Sequence, residues 1–146
     1  MHSTLLATHS IVRFFLLVTI ILVIVRCLMG WLNKSAYSKF DEKLSLGLFM
    51  LTHTQLLLGI FLFFVSPRVI FSGESMKDPM DRYWLVEHST GMIIAIVLIS
   101  IARISSKKIT DGTARHKRMF IFNSIAFVII LAMIAQSQRG FFGITY

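Results

Sequence analysis

Four apolar runs separated by short polar stretches dominate the chain, at about 5–32, 44–65, 83–104 and 119–138. Each is long enough to cross roughly 30 Å of hydrocarbon as an α-helix rising about 1.5 Å per residue. Between them stand Asn33-Lys34-Ser35, Ser66-Pro67-Arg68 and Asp111-Gly112-Thr113, residue types suited to turns and helix ends. The pattern predicts an all-α protein, an integral membrane four-helix bundle forming one domain over residues 1–146. The first run contains Arg13 and lacks both a basic leader and a small-x-small cleavage site, so it reads as a retained helix and not a signal peptide.

Composition strengthens this picture. A mean hydropathy of +0.75 with 55% apolar residues lies outside the range of ordinary soluble domains. The net charge of +8 would suit nucleic acid, but the cations gather in two loops and follow membrane topology, so no nucleic-acid partner is expected. The first loop carries Arg26, Lys34, Lys39 and Lys43. The third carries Arg103, Lys107, Lys108, Arg115, Lys117 and Arg118. In the second, Arg68, Lys77 and Arg82 are set against Glu74, Asp78, Asp81 and Glu87. Loops one and three are therefore expected in the cytoplasm, giving an up-down-up-down bundle with both termini on the outer, periplasmic side. Tyr83-Trp84 reads as an outer aromatic anchor and Trp31 as an inner one. Val69-Ile70-Phe71, with Met76 and Met80, suits a loop lying on the membrane surface. The lone Cys27 excludes an internal disulfide and a thiolate metal cluster; it reads as a small apolar residue, with palmitoylation the alternative.

The chemistry lies in the histidines, because an ionisable group inside a span is costly and points to function. His9 is 17 positions from Arg26, and His88 is 15 from Arg103. If both arginines mark the cytoplasmic boundary, the two imidazoles sit within ~3 Å of one another in depth. Helices one and three of an up-down bundle lie diagonally, so this pair suits the two axial positions of one haem iron. Ser10, Ser89 and Gly91 are small enough to let a flat macrocycle approach the backbone. Arg13, one turn from His9, is placed to meet haem propionates, with snorkelling to the surface as the alternative. The bland reading of His9 and His88 is a pair of hydrogen-bonded interface residues.

His53 and His116 form the analogous pair on helices two and four and match less well. His53 lies ten positions beyond Lys43, whereas His116 stands among Arg115, Lys117 and Arg118. The implied offset is on the order of 10–15 Å unless the fourth helix starts early, capped by Asp111, and sinks inward. Otherwise His53 is a buried polar residue bonded to Asn123 or Ser124, and His116 belongs to a basic surface. Gln136, Ser137 and Gln138 are suited either to a quinone carbonyl or to the end of the fourth helix.

The segments Leu51-Thr52-His53-Thr54-Gln55-Leu56-Leu57-Leu58-Gly59 and Glu87-His88-Ser89-Thr90-Gly91, with one histidine per helix across four helices, resemble the small bacterial b-type membrane cytochromes. That group includes cytochrome b561 and the four-helix halves of haem A synthase. The resemblance implies non-covalent haem b held by histidines from alternate helices, with His9, His53, His88 and His116 as ligands and one haem near each membrane face. The residues themselves favour one haem; the resemblance suggests two. No C-x-x-C-H is present, so covalent attachment is not expected.

The function expected is electron transfer in a bacterial inner membrane, to or from a quinone or a redox protein. With both axial positions filled the iron has no substrate site, which favours a relay over an enzyme. The alternatives are a cofactor-free accessory or assembly subunit of a larger membrane complex, and a copper- or haem-handling protein.

Overall fold

A computed structural model describes residues 2–137 of the chain. Its long helices are α1 (His2–Leu32), α2 (Lys39–Val65), α4 (His88–Ser106) and α5 (Gly112–Gln136). Between α2 and α4 lie a 3-10 turn at Gly73–Met76, the short α3 (Pro79–Arg82) and one π-helical turn at Tyr83–Glu87 that runs directly into α4. There is no strand among the described residues. Four helices, with α3 to α4 counted as one, are long and apolar enough to cross a membrane.

Helix boundaries follow local chemistry more closely than hydropathy. At the end of α1, Lys34 adopts a positive φ of 54° and the Ser35 N–H reaches back to the Gly30 carbonyl at 2.9 Å, closing the last turn. Helix α2 begins before its apolar run because Ser38 and Asp41 form a reciprocal capping box. Helix α5 starts at Gly112, earlier than the expected span at 119, with Asp111 accepting the Ala114 N–H. Gly112 allows a close crossing there: an added Cβ would lie 3.0 Å from the backbone of Ser35, Ala36 and Tyr37, tighter than side chains ordinarily come.

The helices bury residues at alternating spacings of three and four, the stripe that near-parallel helix packing uses. On α1 the stripe runs Leu16, Ile20, Val23, Cys27, Gly30, and on α5 it runs His116, Met119, Asn123, Ala126, Ile130. Helix α1 packs against α2 and α5, and α4 packs against α5 and, less extensively, α2. Thus α1 and α4 face each other across the bundle. Small residues permit close approach of the helix backbones: Ala95, Ala102 and Ala126 are fully buried. Large apolar side chains point outward instead, Phe15, Phe61, Phe64 and Val128 among them. That inversion suits a lipid solvent.

Charge closes one end of the bundle. Asp41 and Glu42 occupy the first turn of α2. Asp41 accepts from Arg26 of α1 at 2.9 Å. Glu42 meets Arg103 of α4 at 2.8 Å and Arg115 of α5 at 2.7 Å. Arg103 is 8% exposed and also donates to Ser45 Oγ. Its removal from water is tolerable only because these partners are in place.

Glu42→Gln should therefore lower the unfolding free energy by about 2–4 kcal/mol, since it strands the buried Arg103 charge. Glu74→Gln, at an ion pair exposed on both sides, should leave stability unchanged. Denaturant titration of the detergent-solubilised protein, followed by circular dichroism, measures both.

Candidate functional site

At the opposite end of each long helix the bundle opens into a cavity of about 380 Å³. His9 of α1 and His88 of α4 both line it, so the two histidines matched by depth in the sequence share one space between facing helices. Arg13, Ser10 and Ser89 line it too. The wall is otherwise mainly apolar, with Leu17, Met92, Ile96 and Ile130 among its members.

His88 is oriented by the π-helical turn before it. In a π-turn the backbone bond runs from residue i to i+5, and here the His88 N–H donates to the Tyr83 carbonyl. That wider turn puts residues five apart on the same side, which an α-helix would not do. The Tyr83 hydroxyl consequently lies 3.2 Å from His88 Nδ1 and also donates to the Met133 carbonyl of α5. A carbonyl can only accept, so the single phenolic proton is committed to Met133. His88 Nδ1 must then carry its own proton and donate to Tyr83, leaving the lone pair on Nε2. This is the arrangement in which an outer partner orients a metal-binding imidazole. Trp84 packs beside the ring, 5.3 Å between centroids.

His9 is held from α2. The Gln55 amide donates to the His9 backbone carbonyl at 3.0 Å, tying the two helices together at this level of the bundle. The tip of the imidazole lies over Gly59, where an added Cβ would stand 3.7 Å from Nε2. Gly59 thus lets the His9 ring tip lie close over the α2 backbone. Gly91 does not leave the open approach expected of it, because the Met133 side chain fills its space, and a Cβ there would meet Sδ at 2.6 Å.

The structure does not bring His53 and His116 together. His53 Nδ1 donates to the Phe49 carbonyl of its own helix at 2.8 Å, and the ring lies in a groove beside Val97 and Ser100 of α4. The alternative, a bond from His53 to Asn123 or Ser124, is not formed either; Asn123 instead donates to the Met119 carbonyl, and the Ser124 hydroxyl has no hydrogen-bond partner among the described residues. His116 is not part of a basic surface. The early start of α5 buries it to 1% exposure, beneath Tyr37 and against Gly30, with Nε2 donating to the Ala36 carbonyl at 3.2 Å. Burial pushes the neighbouring Tyr37 phenol up to about 12, which keeps that ring neutral beside the imidazole.

Three cavity residues were not singled out from the sequence: Tyr83, Gln55 and Arg68. Tyr83 read only as an interface anchor, Gln55 only as a neighbour of His53, and Arg68 only as a loop cation. Each acquires its role through a contact between distant segments. Ser137 lines the cavity but spends its hydroxyl on the Ile134 carbonyl at the end of α5. Gln138 lies outside the described residues. No group of three or more His, Cys, Asp or Glu side chains with metal-ion geometry occurs among the described residues.

The glycines separate the two histidine environments experimentally. Gly30→Ala drives a methyl to 2.5 Å from the His116 ring and should destabilise the fold by about 1–3 kcal/mol. Gly59→Ala makes only ordinary contact and should be tolerated to within about 1 kcal/mol, the usual helix-interior range for this exchange. Thermal unfolding of the two variants decides this.

No family model matches the chain, and neither a curated protein nor a solved structure matches it. The function is therefore read from the site.

Proposed function

We propose that the protein is a multi-pass membrane b-type cytochrome that holds one haem b between α1 and α4 and relays single electrons. The supporting observation is the shared cavity: two imidazoles from facing helices open onto one mainly apolar space, and the proton on one of them is placed by an outer hydrogen bond. The residues fit the group. His9 and His88 would supply the two neutral nitrogens that low-spin iron takes, Gly59 lets the His9 ring tip lie close over the α2 backbone, and Arg13 would supply a cation for carboxylates. When bound, haem supplies a one-electron iron couple in a largely dry setting.

The chain's own part is positioning. Tyr83 keeps the His88 lone pair on Nε2 and fixes the ring plane. Gln55 fixes the height of His9 through its backbone. The apolar wall excludes water and thereby favours the lower-charged state of a buried centre. In this reading the four long helices cross a bacterial inner membrane in alternating directions. The cavity then lies toward the periplasmic side and the Glu42 ion cluster faces the cytoplasm, in keeping with the lysine and arginine bias. A quinone or a redox protein serves as the electron partner.

Purified in mild detergent, the protein should show a Soret band, with sharp α and β bands appearing on dithionite reduction. His9→Ala and His88→Ala should each abolish it, while His53→Ala and His116→Ala should leave haem content per chain unchanged. Tyr83→Phe should weaken haem retention about 10–100-fold, the usual cost of losing an outer partner of a metal-binding histidine. A colourless, folded preparation from haem-supplemented cells overturns the proposal.

A further inference from the structure

Arg68 follows α2 in a turn that its backbone holds in place. Ser66 ends α2 by donating its N–H to the Leu62 carbonyl at 2.8 Å. The Ser66 side chain then accepts the Arg68 N–H at 3.2 Å, and its carbonyl accepts the Val69 N–H at 3.3 Å. Further on, Phe71 packs on Phe63 and Phe64, with centroids 5.3 and 6.4 Å apart, and so folds the loop back over the end of α2. The result is that Ser66, Arg68 and Val69 all line the mouth of the histidine cavity. The Arg68 side chain is exposed there, and its guanidinium makes no hydrogen bond or ion pair among the described residues.

Arg13 lines the same cavity from α1, and none of the described lining residues is an aspartate or glutamate. A mainly apolar cavity bordered by two guanidinium groups is electrostatically complementary to a ligand that is apolar in its body and anionic at one edge. We propose that Arg68 and Arg13 form a two-pronged carboxylate clamp that takes the two propionates of the bound haem and sets which edge of the macrocycle faces the mouth. This rests on the haem reading and extends it to a residue of the outer loop. Arg68 is a positioning residue: it selects and orients the ligand and leaves iron coordination to the histidines.

The same chemistry would also suit the phosphate of an anionic lipid, and the test separates the two. Zinc protoporphyrin IX is redox-inert and fluorescent, so its binding to the haem-free full-length protein in detergent is read without any electron-transfer activity. The wild-type protein should bind the free diacid at least ten-fold more tightly than the dimethyl ester, which has the same body and no charge. Arg68→Gln should cut that preference several-fold, and Arg68→Lys should restore part of it, since it keeps the charge and loses the fork. The Arg68 side chain takes no part in the hydrogen bonds of its turn, so these variants should unfold at the wild-type temperature. Equal binding of diacid and ester, or an unchanged preference in Arg68→Gln, overturns the clamp while leaving the haem reading intact. An Arg68→Gln protein that keeps the preference but loses co-purifying phosphatidylglycerol assigns the residue to lipid and overturns it too. Failure of both porphyrins to bind overturns the haem reading and the clamp with it.

Discussion

Two adjacent carboxylates in the first turn of α2 hold the molecule in shape. Asp41 reaches α1 through Arg26, and Glu42 reaches α4 and α5 through Arg103 and Arg115. All four long helices are thus joined at one end through a single turn of backbone that is itself fixed by the Ser38 capping box. Helices long and apolar enough to cross a membrane would gain little there from burying leucine against leucine, which gives weight to the packing of small residues and to a few polar ties. The ion pairs that join different long helices among the described residues all lie at this end, and the cavity opens at the other.

That open end is shaped by an irregularity in the helix. The π-turn at Tyr83–Glu87 gives up regular α-helical bonding immediately before His88, and in exchange it brings a phenol under the imidazole. The phenol also reaches the Met133 carbonyl, so the position of His88 is linked to the packing of α4 on α5. On the other side Gln55 links His9 to α2. Each histidine is therefore supported by a helix other than its own. Such support is what a site needs if it is to hold a rigid ligand without rearrangement.

The long helices were legible because an apolar run of about twenty residues leaves few alternatives to a long helix. Counting residues from the cationic ends also matched His9 with His88, since helical rise is constant along an unbroken helix. The same counting left His116 ambiguous. Its depth depends on where α5 begins, and that was settled by Asp111 capping and by Gly112 admitting the 33–38 connection against it. The cations of the two basic loops were read as topology markers, and several of them turn out to be ion-pair partners of Asp41 and Glu42. Charge counting along a chain cannot separate the two uses.

What the sequence determined by itself was the set of long helices, a consequence of length and composition; counting from the cationic ends also proposed His9 and His88 as a pair, and both line one cavity. What only the tertiary structure decided was azimuth and pairing. It directed Gly91 to Met133 and Gly59 to His9, carried His116 away from His53 into a backbone-bonded pocket, and brought Tyr83, Gln55 and Arg68 to the cavity. These outcomes depend on how far each helix is rotated about its axis and on one π-turn. A rotation of a few tens of degrees changes every neighbour a side chain meets while leaving the hydropathy pattern untouched.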